Sequence, residues 1–309
     1  MESTSSCRPS TSGLIIKTKI QFDMAQHKVK LLMKGGLGNQ LFQTLVGIQF
    51  AKSLGTFLRV DTSFYFNPSP SVTKRTIELS YFSKLESELS FEMMSSIDLL
   101  KLKLLSRSKM APTFRAKLGY ISDSNHALLD GRIKSLILDG YFQDSRLLPS
   151  DEALQELLRF PSEISENYLE FRNLIGAEGY FAIHVRQGDY LKYGDIYNVL
   201  NSSYYYRSLA LLRNRLGKLP VVLFSDDPQS AIAKFTLQKD VDFIAPSLNQ
   251  VSSGEVLRLM AEASGIICAN STFSWWAAKL GKLHRFTSEV VLPERFTKGV
   301  HSKYQNFEL

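Results

Sequence analysis

Four short stretches of the sequence carry side chains whose types and spacing can do chemistry, and each follows an apolar, strand-like run. In Gly35-Gly36-Leu37-Gly38-Asn39-Gln40, three glycines let backbone N–H groups and the Asn39 and Gln40 amides approach a ligand closely at a helix N-terminus. That is a natural seat for negative charge, and it makes Gly36, Gly38, Asn39 and Gln40 binding candidates. In His184-Val185-Arg186-Gln187-Gly188-Asp189-Tyr190, alternation puts His184 and Arg186 on one side of the chain. The planar Arg186 fork suits a pyrophosphate and can offset the charge of a departing nucleoside diphosphate without a metal; the bland alternative is an Arg186–Asp189 pair across a turn. Phe224-Ser225-Asp226-Asp227-Pro228 ends a strand and opens a helix. Ser225 or Asp227 caps that helix, and the spare carboxylate can accept from a base N–H or a ribose hydroxyl. Asn270-Ser271-Thr272-Phe273-Ser274-Trp275-Trp276 again runs from a strand end into a helix, where Asn270, Ser271 and Thr272 offer a second anion site. At least one of its tryptophans is expected in the core.

These positions gain meaning from the elements that must hold them. The apolar pattern predicts a strand over 29–34, a loop over 35–40, a helix over 41–54 stopped by Gly55, and a strand over 56–61, a unit of the parallel-sheet kind. Residues 62–75 read as a loop, 76–135 as mostly helical, 136–138 as a strand, and 149–159 as a helix with Ser150 at its N-cap. From 180 onward, strands over 180–185, 220–224, 241–244 and 265–269 alternate with helices over 203–216, 228–238, 254–263 and 273–280. Two Rossmann-like, doubly wound α/β domains facing across a cleft follow, with 161–178 as linker. The division is 1–23 as a disordered leader, 24–165 as the first domain and 166–309 as the second. In such sheets ligands gather beyond the C-terminal ends of the strands, where all four stretches fall.

Composition narrows the classes. The 309 residues are 44% hydrophobic and 22% charged, which excludes disorder and fibrous repeats, and no apolar run reaches the roughly 18 to 20 residues that cross a bilayer. A net charge of +7 favours an anionic partner. No four basic residues are adjacent, no nucleic acid is expected, and Lys101, Lys103, Arg107 and Lys109 are spaced like the solvated side of a helix. The two cysteines, Cys7 and Cys268, make no disulfide scaffold and suit a reducing compartment. Without a secretory signal, Asn201-Ser202-Ser203 and Asn270-Ser271-Thr272 are incidental as glycosylation sequons. The leader has no continuous apolar core, and translation starts at Met1 or Met24. Two other chemistries compete. An NAD-type oxidoreductase would use Gly36–Leu41 with Asp61 as the ribose carboxylate, but Leu41 stands where the third glycine of G-x-G-x-x-G belongs. Asp240-Val241-Asp242 fits a metal-binding D-x-D but lies at a strand start, so no metal is assigned.

Taken in series, the four stretches, extended to Gln43 and joined by Gly140-Tyr141-Phe142-Gln143, resemble the motif set of the α-1,2-fucosyltransferases, over roughly residues 30 to 292. The resemblance implies a GT-B fold, GDP-β-L-fucose as donor, inversion at the anomeric carbon, transfer to the 2-OH of a terminal β-galactose, and no metal or other cofactor. It implies that Arg186 stabilises the leaving diphosphate, helped by Ser271, Thr272 and their helix; that Asp226 reads guanine or ribose; and that Asn39 and Gln40 reach across the cleft. Asp189 and His184 are both candidates for the base. The family's usual His-x-Arg-Arg-Gly-Asp has Gln187 in place of its second arginine here, which leaves open an altered donor, another deoxysugar nucleotide, or a silent binder. The setting expected is cytoplasmic, with a lipid-linked glycan acceptor and peripheral contact at the inner face of an anionic membrane compatible with the basic charge.

Overall fold

A computed structural model describes residues 28–66, 74–125, 133, 135–186, 200–297 and 305–309. The leader, Asp189 and Gln187 lie outside the described residues.

Two five-stranded, wholly parallel sheets organise the chain. The first contains β1 (Lys28–Leu32), β2 (Leu58–Asp61), β3 (Leu89–Phe91), β4 (Tyr120–Ile121) and β5 (Ser135–Leu138), in the order β3-β2-β1-β5-β4. The second contains β6 (Phe181–Val185), β7 (Val221–Ser225), β8 (Phe243–Ile244), β9 (Gly265–Ile267) and β10 (Glu289–Val291), in the order β10-β9-β6-β7-β8. Parallel neighbours need crossover connections, and helices supply them. Along the first half these are α1 (Leu37–Ser53), α2 (Ser63–Phe66), α3 (Ser83–Ser87), α4 (Ser96–Ser106), α5 (Pro112–Lys117) and α6 (Asp151–Leu157). The second half adds α7 (Glu166–Ile175), α8 (Ser202–Leu216), α9 (Pro228–Lys234), α10 (Ser253–Ala261) and α11 (Thr272–Leu283). The protein is thus an α/β molecule of two doubly wound halves, the GT-B-like arrangement expected.

Each sheet reverses its strand order once. The reversal lies between β1 and β5 in the first and between β6 and β9 in the second, and the crevice outside those strand ends is where a doubly wound sheet takes its ligand.

The halves are joined by apolar packing as well as by chain. Phe42 of α1 lies 4.9 Å from the Trp275 ring and 5.0 Å from the Trp276 ring of α11, and all three side chains are buried in one cluster that draws on both sheets. Both tryptophans are therefore core. Helix α1 is buried around most of its circumference because it has a sheet on one side and α11 on the other.

The departures from expectation are instructive. β3, β4 and β10 are only two or three residues long, too short to show a period in the sequence. The expected linker holds α7, whose N-cap Ser165 accepts from the Tyr168 N–H. The chain's tail, assigned to the second half, returns to the first: Asn306 forms a bridge with Asp144, and Phe307 packs against Phe42 and Trp275.

Candidate active site where the two sheets meet

Helix α1 begins at Leu37, four residues earlier than the glycines suggested, with Gly36 as its N-cap. Gly38, Asn39 and Gln40 are thus in its first turn and not in an open phosphate loop. Two observations remove the anion cradle from this end. The Leu37 N–H donates to Glu78 Oε2 at 3.1 Å, so a carboxylate of the chain itself occupies the positive end of the helix. Gly38 is pressed against α11, where a β-carbon would fall 2.7 Å from the Phe273 nitrogen and from Thr272 Oγ1, and the Trp276 indole donates to the Gly38 carbonyl at 3.0 Å. The Gly38 position serves helix-to-helix approach. Gln40 is fully buried; its amide donates to the Gly35 and Thr76 carbonyls and accepts from the Glu78 N–H. These three bonds go to backbone, so Gln40 shapes the loop and does not reach across the cleft.

Asn39 does reach across. Its Oδ1 accepts from Thr272 Oγ1 at 3.0 Å and from Gln143 Nε2 at 2.9 Å. Gln143 follows β5, so residues from the β1, β5 and β9 ends converge on this one amide. Gln143 is aimed by an uncommon backbone: Phe142 has φ 50°, a left-handed value held by Asp123, whose carboxylate accepts from the Tyr141 and Phe142 N–H groups. On the other side, Gln305 donates to Gln143 Oε1, and Thr297 donates to Gln305. The chain's tail thereby closes the network.

At the second sheet, Arg186 leaves the end of β6 and Nη1 lies 3.2 Å from Asp226 Oδ2, just past β7. Asp227 is the helix cap, accepting from the Ser230 N–H at 3.1 Å, which leaves Asp226 for Arg186. Arg186 thus pairs with Asp226 here, whereas its expected alternative, Asp189, is not among the described residues. His184, one pleat deeper, is buried, with its ring centroid 6.1 Å from that of Phe273 in α11. Its Nδ1 has no hydrogen-bond partner among the described residues. Burial, reinforced by the Arg186 charge and opposed by Asp226, pushes its pKa down to about 3, so the imidazole is neutral at physiological pH. Ser271 caps α11 by accepting from the Phe273 N–H, and Asn270 donates to the Phe296 carbonyl. The structure therefore brings Asn39, Thr272 and Ser271 to one side and Arg186 with Asp226 to the other side of the β6/β9 crevice.

The carboxylates of the competing readings have partners within the chain. Asp61 is buried, accepting from the Ser63 and Met94 N–H groups. Asp240 pairs with Arg213 at 2.7 Å, and Asp242 accepts from the Val221 N–H. Burial pushes the Cys268 thiol up, which leaves it an inert core residue.

Sequence reasoning passed over a polar group at the rim of the first sheet. Lys34 Nζ is 2.9 Å from Asp139 Oδ1, and Tyr120 donates to Asp139 Oδ2 at 2.8 Å. The same ammonium stands 5.1 Å over the half-exposed Tyr141 ring. Burial alone would lower the Lys34 pKa, but Asp139 holds it above the ordinary value. The signal available was position: Lys34 and Asp139 are the first residues after β1 and β5 apart from Met33.

The family model for glycosyl transferase family 11 matches residues 134–292, which include every strand of the second sheet and β9's helix α11. The chain belongs to glycosyl transferase family 11. Among relatives, the O-antigen biosynthesis glycosyltransferase WbnK of Escherichia coli is 25% identical over 289 residues, covering 85% of this chain and 92% of that protein. An alpha-1,2-colitosyltransferase of Escherichia coli is 28% identical over 264 residues, covering 80% and 86% respectively. Among solved structures, fucosyltransferase NodZ from Bradyrhizobium superposes with a TM-score of 0.48 at 16% identity, covering 81% of this chain and 92% of its own.

Proposed function

We propose that this family 11 glycosyltransferase moves L-fucose, with inversion, from GDP-β-L-fucose to the 2-OH of a terminal β-galactose on a surface glycan, lipid-linked during its assembly, and needs no metal ion. The observation that carries the reading is the placement of Arg186 at the end of β6, held by Asp226, beside the crevice that the α11 N-terminus closes. Negative charge grows on the diphosphate as the sugar leaves, and a guanidinium stabilises it there more than in the ground state. Asp226 holds the guanidinium at the end of β6, and a planar guanidinium suits phosphate oxygens. An imidazole with a pKa near 3 is a poor acceptor for a hydroxyl proton at neutral pH, so Asp189 takes the role of base in this proposal. Lys34, Asp139 and Tyr141, on the opposite rim, offer charge and an aromatic face to the acceptor sugar.

A second donor has specific support, because one relative is named for transferring colitose through an alpha-1,2 linkage. The test is a donor screen of GDP-fucose, GDP-colitose and GDP-mannose with lactose-type acceptors, with and without chelator, the product linkage being read by NMR. A 2-linked fucoside formed equally with chelator present supports the reading. Turnover of GDP-colitose alone moves the donor to the second reading. Binding of GDP-fucose without turnover on any galactoside makes the protein a silent binder.

A further inference from the structure

A surface helix ordinarily turns its apolar stripe inward and its charges outward. Helix α4 carries a second apolar stripe that faces outward. Of its apolar side chains Leu105 alone is fully buried, while Ile97, Leu100 and Leu104 are 79%, 58% and 63% exposed. These three stand at i, i+3 and i+7, on a single face. The inward face mixes Leu105 and half-buried Leu102 with polar residues: Asp98 accepts from Lys30 of β1 at 2.5 Å, and Lys101 is drawn in against Gly119. A capping box from Ser95 to Asp98 fixes the helix start, so the outward stripe is an ordered feature and not a frayed end. On either side of it, Met93, Met110 and Phe114 are also exposed.

Charge indicates what covers this face. Between 96 and 118 the chain carries Lys101, Lys103, Arg107, Lys109, Arg115 and Lys117 against one acid, Asp98, and that acid is neutralised by Lys30. Lys103 and Arg107 are exposed on the outward side of the helix, next to the leucines. A stripe of large aliphatic side chains flanked by cations that have no ion pair among the described residues is the pattern of a helix lying in a lipid interface, with side chains in the acyl boundary and ammonium groups among anionic headgroups.

We propose that α4 is a docking face for an anionic lipid bilayer, with Ile97, Leu100 and Leu104 entering the interface and Lys103 and Arg107 engaging headgroup phosphates. This assigns a binding role to cations that the sequence alone placed on a merely solvated helix side. It does not depend on the donor or acceptor, and its test reads lipid partition and not turnover.

The intact protein is sedimented with vesicles of phosphatidylcholine containing about one-third phosphatidylglycerol, and with vesicles of phosphatidylcholine alone. The expected result is binding at least about tenfold stronger to the anionic vesicles, weakening as salt is raised. The triple variant Ile97→Gln/Leu100→Gln/Leu104→Gln should lose about tenfold or more of that binding, whereas Leu174→Gln, at an exposed apolar position of the second half, should not. Lys103→Glu/Arg107→Glu changes only exposed side chains and decides the matter if the triple variant does not fold: it should abolish the preference for anionic vesicles. No vesicle binding, equal binding to both compositions, or binding unchanged in the variants overturns the proposal. So does a dimer in solution that the stripe variant disperses while vesicles bind neither protein, which would make a second copy the occupant.

Discussion

Asn39 Oδ1 accepts hydrogen bonds from Thr272 Oγ1 and Gln143 Nε2, at 3.0 and 2.9 Å, so one side-chain oxygen links the strand-order reversals of both sheets. The relationship ties the ends of β1, β5 and β9 to one amide.

Asn39→Ala removes the acceptor of two donors at once. The expected loss of stability is about 1–3 kcal/mol, measured by urea unfolding. Thr272→Val removes one of the same bonds, so the double variant should show a coupling of at least about 0.5 kcal/mol. Simple additivity would mean that the two side chains do not act together.

Gly38→Ala tests whether this glycine serves helix approach. A β-carbon there would lie 2.7 Å from the α11 backbone, and backbone cannot give way as a side-chain tip does. Helices α1 and α11 must separate, at a cost of about 1–3 kcal/mol. Donor affinity should fall with stability because Thr272 moves too. A variant with native stability but weakened GDP binding would restore the phosphate-loop reading of the glycines.

Arg186→Ala should lower kcat by about a hundredfold to a thousandfold, with the fold retained because the side chain sits at the rim. Arg186→Lys keeps the charge but not the fork and should recover only part of that loss. Asp226→Asn should raise the donor KM more than it lowers kcat, since it releases the guanidinium without removing it. Near-normal GDP release by Arg186→Ala would end the assignment.

Much of this arrangement was legible because parallel strands read as apolar runs and their ends carry Gly, Asn, Asp or Ser. The strand-end residues Asp226, Ser271 and Thr272 stood out for that reason, and Arg186 for the charge it puts at the end of β6. Cap chemistry was legible too: Ser150 and Asp227 accept from the N–H groups that their positions implied. What the sequence hid is which partner a polar group chooses. Glu78 lies 41 residues from the Leu37 N–H that it caps, and nothing local links them. Gln40 and Asn39 are adjacent and chemically alike, yet α1 turns one amide into the core and the other across the junction. The outward stripe of α4 was equally hidden, because its spacing alone reads as an ordinary buried face.

His184 supplies the pH dependence. Its pKa falls from the ordinary value of 6.5 to about 3 in the folded protein, so between those values the unfolded chain binds more protons than the native one. Stability contributed by the neutral, buried imidazole is therefore complete above about pH 6.5 and is lost as pH falls toward 3, by about 1.4 kcal/mol per pH unit. His184→Gln carries no titrating group, and its unfolding free energy should fall less steeply with acid across that window, whatever its stability at neutral pH. His284, also lowered by burial, is present in both proteins and cancels in the comparison. Urea titrations at several pH values give the two slopes directly. Equal slopes would mean that the imidazole titrates in the native protein much as it does in the unfolded chain, and the exclusion of His184 as a buried, weakly basic group would no longer stand.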